Sequence, residues 1–317
     1  MNIDVPDVAV DARAAAAAII DAGGGVDIAR ECEADPSLRE GAGALLEEFG
    51  IGDVDPRDGV DSAMVGAALC RQAGAAAFPY PVVARLLGGE GRLLALSPAS
   101  GPLRINHGDI GSWEAVDLAG DCREVVGGLP IGQPLAPFVV DATVLTASAR
   151  RPATDPALWL ILDSWLIFGA MERALEMVRE YLPDRRQFGR PLSSFQGLRF
   201  RVADLMVSLQ GVEELAKYTV WSHFEAPEQA LVDALALRVA CQEASKTIFR
   251  ESHLLHGAIG FCDEHDLSFL DRHLQPHLRL PWDLEATSSL LLAQIESRGI
   301  DTLYGRFGVA GEETTGP

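Results

Sequence analysis

The sequence predicts an α+β fold that is mainly α. Three observations lead there. Ala-rich stretches with helix-capping residues fill residues 7–90. Glycine, proline and β-branched residues break up residues 91–152, and four long apolar-periodic segments follow Asp155. Helices gathered at both ends of a short β segment fit a layered α+β chain rather than an alternating α/β one.

Asp11 to Asp21 reads as a first helix, stopped by Gly23-Gly24-Gly25, and Ser37 to Phe49 as a second, stopped by Gly50. Asp61 to Ala76 is a third and Pro81 to Leu87 a short fourth. Asp or Ser at a helix start accepts from free backbone amides, and Gly at the end tolerates the left-handed closing residue. Residues 1–90 are therefore expected to form an N-terminal helical domain. In residues 91–153, the short apolar runs Arg92–Leu96, Phe138–Val140 and Thr143–Leu145 suggest strands of one modest β domain.

From Asp155 the helices lengthen. Asp155 to Leu182 is one. Pro191 opens the next, at a first-turn position where its missing N–H would have no partner, and that helix runs to about His223. Pro227 to about His256 is the third, and Leu284 to Arg298 the fourth, ended by Gly299. Short connections between long helices predict an antiparallel four-helix bundle over 154–305, followed by a polar tail at 306–317. Leu158–Phe168 and Leu284–Ile295 carry apolar residues on more than one face. Such helices must be covered on two sides, by a multi-subunit core or by a self-contained bundle.

The 317 residues carry 46 acids against 26 Lys and Arg, a formal net charge of −20, so most of the surface repels nucleic-acid phosphates and anionic lipid. An anionic ligand would need a local basic pocket. The five cysteines (Cys32, Cys70, Cys122, Cys241, Cys262) are scattered, which reads as buried free thiols in a cytoplasmic protein. Met1 to Val10 has no basic residue and is not a secretory signal, and no apolar run reaches membrane-spanning length. His273 and His277 stand at an i,i+4 spacing that can bind a metal, but Pro276 between them argues against a regular helix, and no metal site is expected.

The stretch from Tyr181 reads Tyr-Leu-Pro-Asp-Arg-Arg-Gln-Phe-Gly-Arg-Pro-Leu-Ser-Ser-Phe-Gln, with Ala203-Asp204-Leu205-Met206 downstream. Leu254-Leu255-His256-Gly257-Ala258-Ile259-Gly260-Phe261 follows later. Together these segments resemble the acyl-CoA dehydrogenase family, whose members carry Arg-x-Gln-Phe-Gly-Lys-Pro, then Ala-Asp-Met, then Gln-x-His-Gly-Gly-x-Gly-Tyr. The resemblance is good over about half of the chain, from Trp159 to Gly299. It implies an acyl-CoA dehydrogenase-like fold and flavin-dependent α,β-dehydrogenation of an acyl-CoA thioester. Arg185, Gln187 and Phe188 would touch the ADP half of a flavin dinucleotide (FAD) held mainly by a neighbouring subunit. Gly257 would let backbone approach it. Gly257 would serve equally well as a helix C-cap. A tight loop ahead of a helix N-terminus at Pro191 would add free amides for a pyrophosphate.

The reaction demands a desolvated carboxylate base. By the resemblance this is Glu243, fourteen residues before Gly257. Glu243–Lys246 could equally be a surface pair. Glu285, in Leu284-Glu285-Ala286-Thr287-Ser288, faintly echoes the Tyr-Glu-Gly-Thr motif of other branches and also suits a helix start. Leu254 and Ala258 replace the family's Gln and second Gly. The Thr-Glu-Pro-x-x-Gly-Ser and Trp-Ile-Thr/Ser segments that flank the isoalloxazine are missing between Gly91 and Ala153, and Gly52-Asp53-Val54-Asp55 stands in place of the family's Pro-Glu-Glu-x-Gly-Gly-x-Gly turn. This pattern is similar to the shorter subunit of heteromeric acyl-CoA dehydrogenases of bacterial sterol and bile-acid side-chain catabolism. That implies a heterotetramer with a longer acyl-CoA dehydrogenase subunit holding most of the FAD. The alternatives are a self-sufficient homo-oligomer with Glu243 as base, and a non-catalytic acyl-CoA-binding or assembly subunit.

Overall fold

The computed structural model describes residues 4–88, 91–98, 101–150 and 155–298, with backbone only over 145–150. Five helices come first: α1 Asp7–Ala22, α2 Val26–Ala34, α3 Arg39–Phe49, α4 Val60–Ala75 and α5 Val82–Leu87. Helix α2 had no counterpart in the expected set. It starts straight after Gly25, whose φ of +60° reverses the chain within the Gly-Gly-Gly stop, so the same three glycines end one helix and open another.

A five-stranded sheet follows: β1 Arg92–Leu96, β2 Leu103–Asn106, β3 Ser112–Val116, β4 Asp121–Pro130 and β5 Val139–Arg150, in the order β1-β3-β4-β5-β2. Only β1 and β3 run parallel; every other pair is antiparallel. The first expected strand matches β1, and the two later ones fall within the single strand β5 except for Phe138, which precedes it. Alternation divides the sheet into two faces. Leu93, Ala95, Ile105, Trp113 and Ala115 form a small core on one, while Leu94, Leu96, Val116 and Phe138 join the main core on the other.

The helical region then runs α6 Pro156–Asp184, a hairpin of β6 Arg186–Gln187 with β7 Arg190–Pro191, α7 Gln196–Glu225, α8 Ala230–His256, α9 Asp266–Arg279 and α10 Leu284–Arg298. The four expected helices are present and α9 is inserted before the last. Pro276 lies inside α9, in its last turn and buried, where it forfeits one backbone bond and fills the space beside Leu166. Gly299 and the tail lie outside the described residues.

Helix α6 is the centre of the molecule. Asp155 accepts from the Leu158 amide to start it, and Leu158 to Met171 are buried apart from half-buried Trp159. The cover comes from within the chain, from α4, α7, α8 and α9, so the all-round apolar character of this helix needs no second subunit. Helix α10 differs: Thr287 is its one buried residue among those described, and Leu292 is exposed. Backbone touches backbone where α4 crosses α6. A Cβ on Gly74 would sit 1.9 Å from the Leu166 carbonyl oxygen, and one on Gly169 would sit 1.8 Å from that of Arg71. All five cysteines are free; four are buried, but Cys262 is exposed, which corrects the expectation of five buried thiols. No helix among the described residues is long and apolar enough to cross a membrane.

Candidate functional site

The Arg-Gln-Phe-Gly segment forms the tip of the β6–β7 hairpin. Phe188 (φ +53°) and Gly189 (φ +80°) make its turn, and Gln187 pairs with Arg190 across it. The tip stands out from the protein, and Phe188 is 88% exposed. The helix expected to begin at Pro191 begins at Gln196. Pro191 is instead in β7, because the hairpin consumes the chain that would have formed the first turn. Two amides at the base of the hairpin are spent: Arg185 N–H donates to the Tyr181 carbonyl and Leu192 N–H to the Arg185 carbonyl. Neither of these two amides is available to a pyrophosphate, and beside them stand the side chains of Arg185 and Gln187.

Those side chains face a groove of about 580 Å³ between the hairpin, the start of α7 and the end of α8. Arg185, Gln187 and Gly257 line it together with Tyr181, Leu198 and Ile259. Neither the Arg185 nor the Gln187 side chain has a hydrogen bond or ion pair within the described residues. Gly257 takes φ +67° to end α8, and its N–H is spent on the carbonyls of His253 and Leu254. It is thus a C-cap whose empty Cβ direction faces open space. At the groove's inner end Tyr181 stacks on buried His256 at 4.8 Å between ring centroids. Burial, reinforced by the neighbouring His265 and His253, lowers the pKa of His256. The groove has the size of a small-molecule site. Its two unpaired polar side chains suit phosphate oxygens, and its apolar wall suits the flat face of a base, so the residues present fit the adenosine-diphosphate end of FAD. The role of Tyr181 and His256 as the inner wall was not legible in the sequence, since two helices bring them together.

Glu243 lies elsewhere. It is exposed on α8, as are Lys246 and Thr247, and it pairs with neither. The chain itself does not supply the desolvation that a base requires. Glu285 is exposed in the first turn of α10, as a helix-start acid.

The face of α8 that points inward one turn before Glu243 carries Arg238, fully buried. Arg238 Nη1 donates to Asp163 Oδ2 at 2.7 Å, and Nη2 donates to the carbonyls of His277 and Leu280. Asp163 Oδ1 lies 2.7 Å from His277 Nδ1. Burial alone would raise the Asp163 pKa, but His277 and Arg238 outweigh it and hold it below the ordinary value. This network and Pro276 narrow the crevice between sheet and helices, leaving clefts of about 20 and 50 Å³. Such volumes admit water and no flavin ring. Among the described residues no group of three or more His, Cys, Asp or Glu could hold a metal ion.

A helical layer, a small curled sheet and a long-helix bundle with an outward Arg-Gln-Phe-Gly hairpin define the class of fold. Residues 164–277 match the acyl-CoA dehydrogenase C-terminal domain family. Acyl-CoA dehydrogenase IpdE2 of Mycobacterium tuberculosis (strain ATCC 25618 / H37Rv) is 40% identical over 99 residues, 31% of this chain and 29% of that protein. Acyl-CoA dehydrogenase FadE27 of the same organism is 30% identical over 131 residues, 38% of this chain and 35% of that protein. The matches thus span about a third of these curated relatives. The fold likeness is wider. One chain of the ChsE4-ChsE5 complex from Mycobacterium tuberculosis superposes with a TM-score of 0.74 at 18% identity, covering 94% of this chain and 98% of that one. A variant of the Tcur3481-Tcur3483 steroid ACAD gives 0.73 at 17% identity, covering 93% and 99%.

Proposed function

We propose that this chain is the shorter subunit of a heteromeric, FAD-dependent acyl-CoA dehydrogenase, placing its hairpin groove against a cofactor held mainly by a longer partner subunit. One pairing of observations carries the reading: the groove of Arg185 and Gln187 is roomy and its side-chain donors are unspent, while the crevice between sheet and helices is too narrow for an isoalloxazine ring. The two-component complexes among the fold neighbours agree with it.

The flavin, when bound, supplies the hydride acceptor for dehydrogenation of a thioester. In this arrangement Arg185 neutralises phosphate charge and Gln187 fixes its orientation. Leu198 and Ile259 keep water from one face, and Tyr181 and His256 form the inner wall. Glu243 is a solvated surface acid and not the working base. A sterol-derived acyl group is the substrate class that the relatives suggest.

Flavin stoichiometry tests this. The chain purified alone is expected to be colourless, and its complex with a longer partner is expected to carry fewer flavins than subunits. Glu243→Gln is expected to change turnover of the complex by less than about twofold, the effect of an exposed group. One flavin per lone chain with acyl-CoA turnover would overturn the reading. A flavin content unchanged by Arg185→Ala would reduce the chain to an assembly module.

A further inference from the structure

The seam where the sheet meets α9 holds more titratable groups than packing requires. His107, in the turn after β2, is 5% exposed, and its Nδ1 has no partner. It stacks near Phe138 at 5.0 Å, and Phe138 in turn meets His273 of α9 at 5.5 Å. His277, one turn further along α9, reaches back to Asn106 at the end of β2. All of these line the narrow clefts between sheet and helices.

The charges facing this seam are already matched. Arg39 of α3 grips Asp109 with both guanidinium nitrogens and lies 4.5 Å over the Phe138 ring. Arg272 of α9 is paired with Glu33 of α2, and Arg238 of α8 with Asp163 of α6. His273 has Glu33 at 3.7 Å, and His277 has Asp163 at 2.7 Å, so each imidazole faces a carboxylate. His107 has no such partner. Asp109 is spent on Arg39, and the other charged neighbours of His107 are Arg39 itself and the two histidines. Cys32 and Cys70, behind Arg39 and Asp163, are kept as neutral thiols by burial and offer no counter-charge.

We infer that His107 is an acid-sensitive pin: while neutral it lets the sheet close on α9, and on protonation it lifts the turn after β2 and opens the crevice. A buried imidazolium facing a guanidinium with no carboxylate is the costly state. Turn residues are the cheapest to displace, and His107 itself sits at φ +60°, outside the region most side chains prefer. Burial, then Arg39, His277 and His273, push the His107 pKa well below the ordinary value, in line with this geometry. The sign follows. The pin's contribution is complete above the ordinary histidine value and drains as pH falls below it.

Trp113 and Trp159 both line the crevice and report its opening. As pH is lowered from about 7.5 to about 5, the wild-type chain is expected to show a tryptophan emission change and faster amide exchange over residues 103–107, with helical circular dichroism retained. His107→Asn tolerates the same backbone conformation without titrating, and it is expected to move that transition down by at least about one pH unit. An unshifted transition in His107→Asn would overturn the inference. Should that variant fail to fold, the wild-type His107 resonance decides by nuclear magnetic resonance. Titration coincident with opening supports the pin, and opening while His107 stays neutral refutes it.

Discussion

Asp163 is the residue whose role the linear sequence hides most completely. In the sequence it interrupts an apolar stretch; in the fold it is 1% exposed and binds partners 75 and 114 residues away. Removing one side of a buried pair strands the other charge, so Asp163→Ala is expected to cost about 3–5 kcal/mol in urea unfolding. Asp163→Leu combined with Arg238→Met is expected to recover only part of that loss, because it removes the stranded charge but leaves the His277 and Leu280 carbonyls and His277 Nδ1 without their partners. A single-variant loss under about 1 kcal/mol would show that water reaches the pair. Its carboxyl pKa lies below the ordinary value, so its contribution is present above that value and is lost only as strong acid protonates it. The motif residues were legible for the opposite reason. Arg185, Gln187 and Gly257 sit in local turns whose chemistry is written in consecutive residues, and the fold brings them to one groove. Glu243 shows the limit of spacing alone: its offset from Gly257 is readable, but which face of α8 it occupies depends on how the helix packs.

At the scale of elements, helix length and order were readable from capping residues and apolar periodicity, and errors fell where tertiary structure overrides local preference. Pro191 looked like a helix start and became a strand because the hairpin pairs Gln187 with Arg190. Pro276 looked like a helix breaker and became part of α9 because its buried ring fills the seam. Glycines inside helices carried a similar ambiguity, which substitution can resolve. Gly169→Ala forces a methyl into the Arg71 carbonyl and is expected to destabilise the chain by at least about 1–3 kcal/mol, with α4 displaced from α6. Gly211→Ala, exposed on α7 with nothing within 4 Å of the new methyl, is expected to add about 0.5–1 kcal/mol through helix propensity. Thermal unfolding of both variants checks the pair. Equal effects would mean that the α4–α6 contact is looser than the backbone spacing indicates.

At the scale of the whole molecule, the exposed apolar residues are not scattered evenly. Phe200 and Val207 stand two turns apart on α7, 59% and 69% exposed, and Phe188, Leu254 and Phe261 are exposed on the hairpin and at the end of α8. Helix α7 buries only six of its thirty residues, so much of it is open to solvent in the lone chain. If a longer subunit covers this face and its flavin reaches the groove, assembly and cofactor retention must come apart under mutation. Val207→Glu places a charge on α7 away from the chain's own core, so the lone chain should unfold within about 0.5 kcal/mol of the parent while the complex weakens by tenfold or more, on the order of 1.4 kcal/mol. Arg185→Ala should do the reverse, leaving subunit mass in the complex unchanged and lowering flavin affinity by about tenfold, the value of one charge-assisted hydrogen bond. Sedimentation of the complex and release of flavin on dilution measure the two quantities independently. Should both variants lose assembly and flavin together, groove and helix face form one inseparable contact. Should neither variant affect either quantity, the partner does not bind this face of the chain.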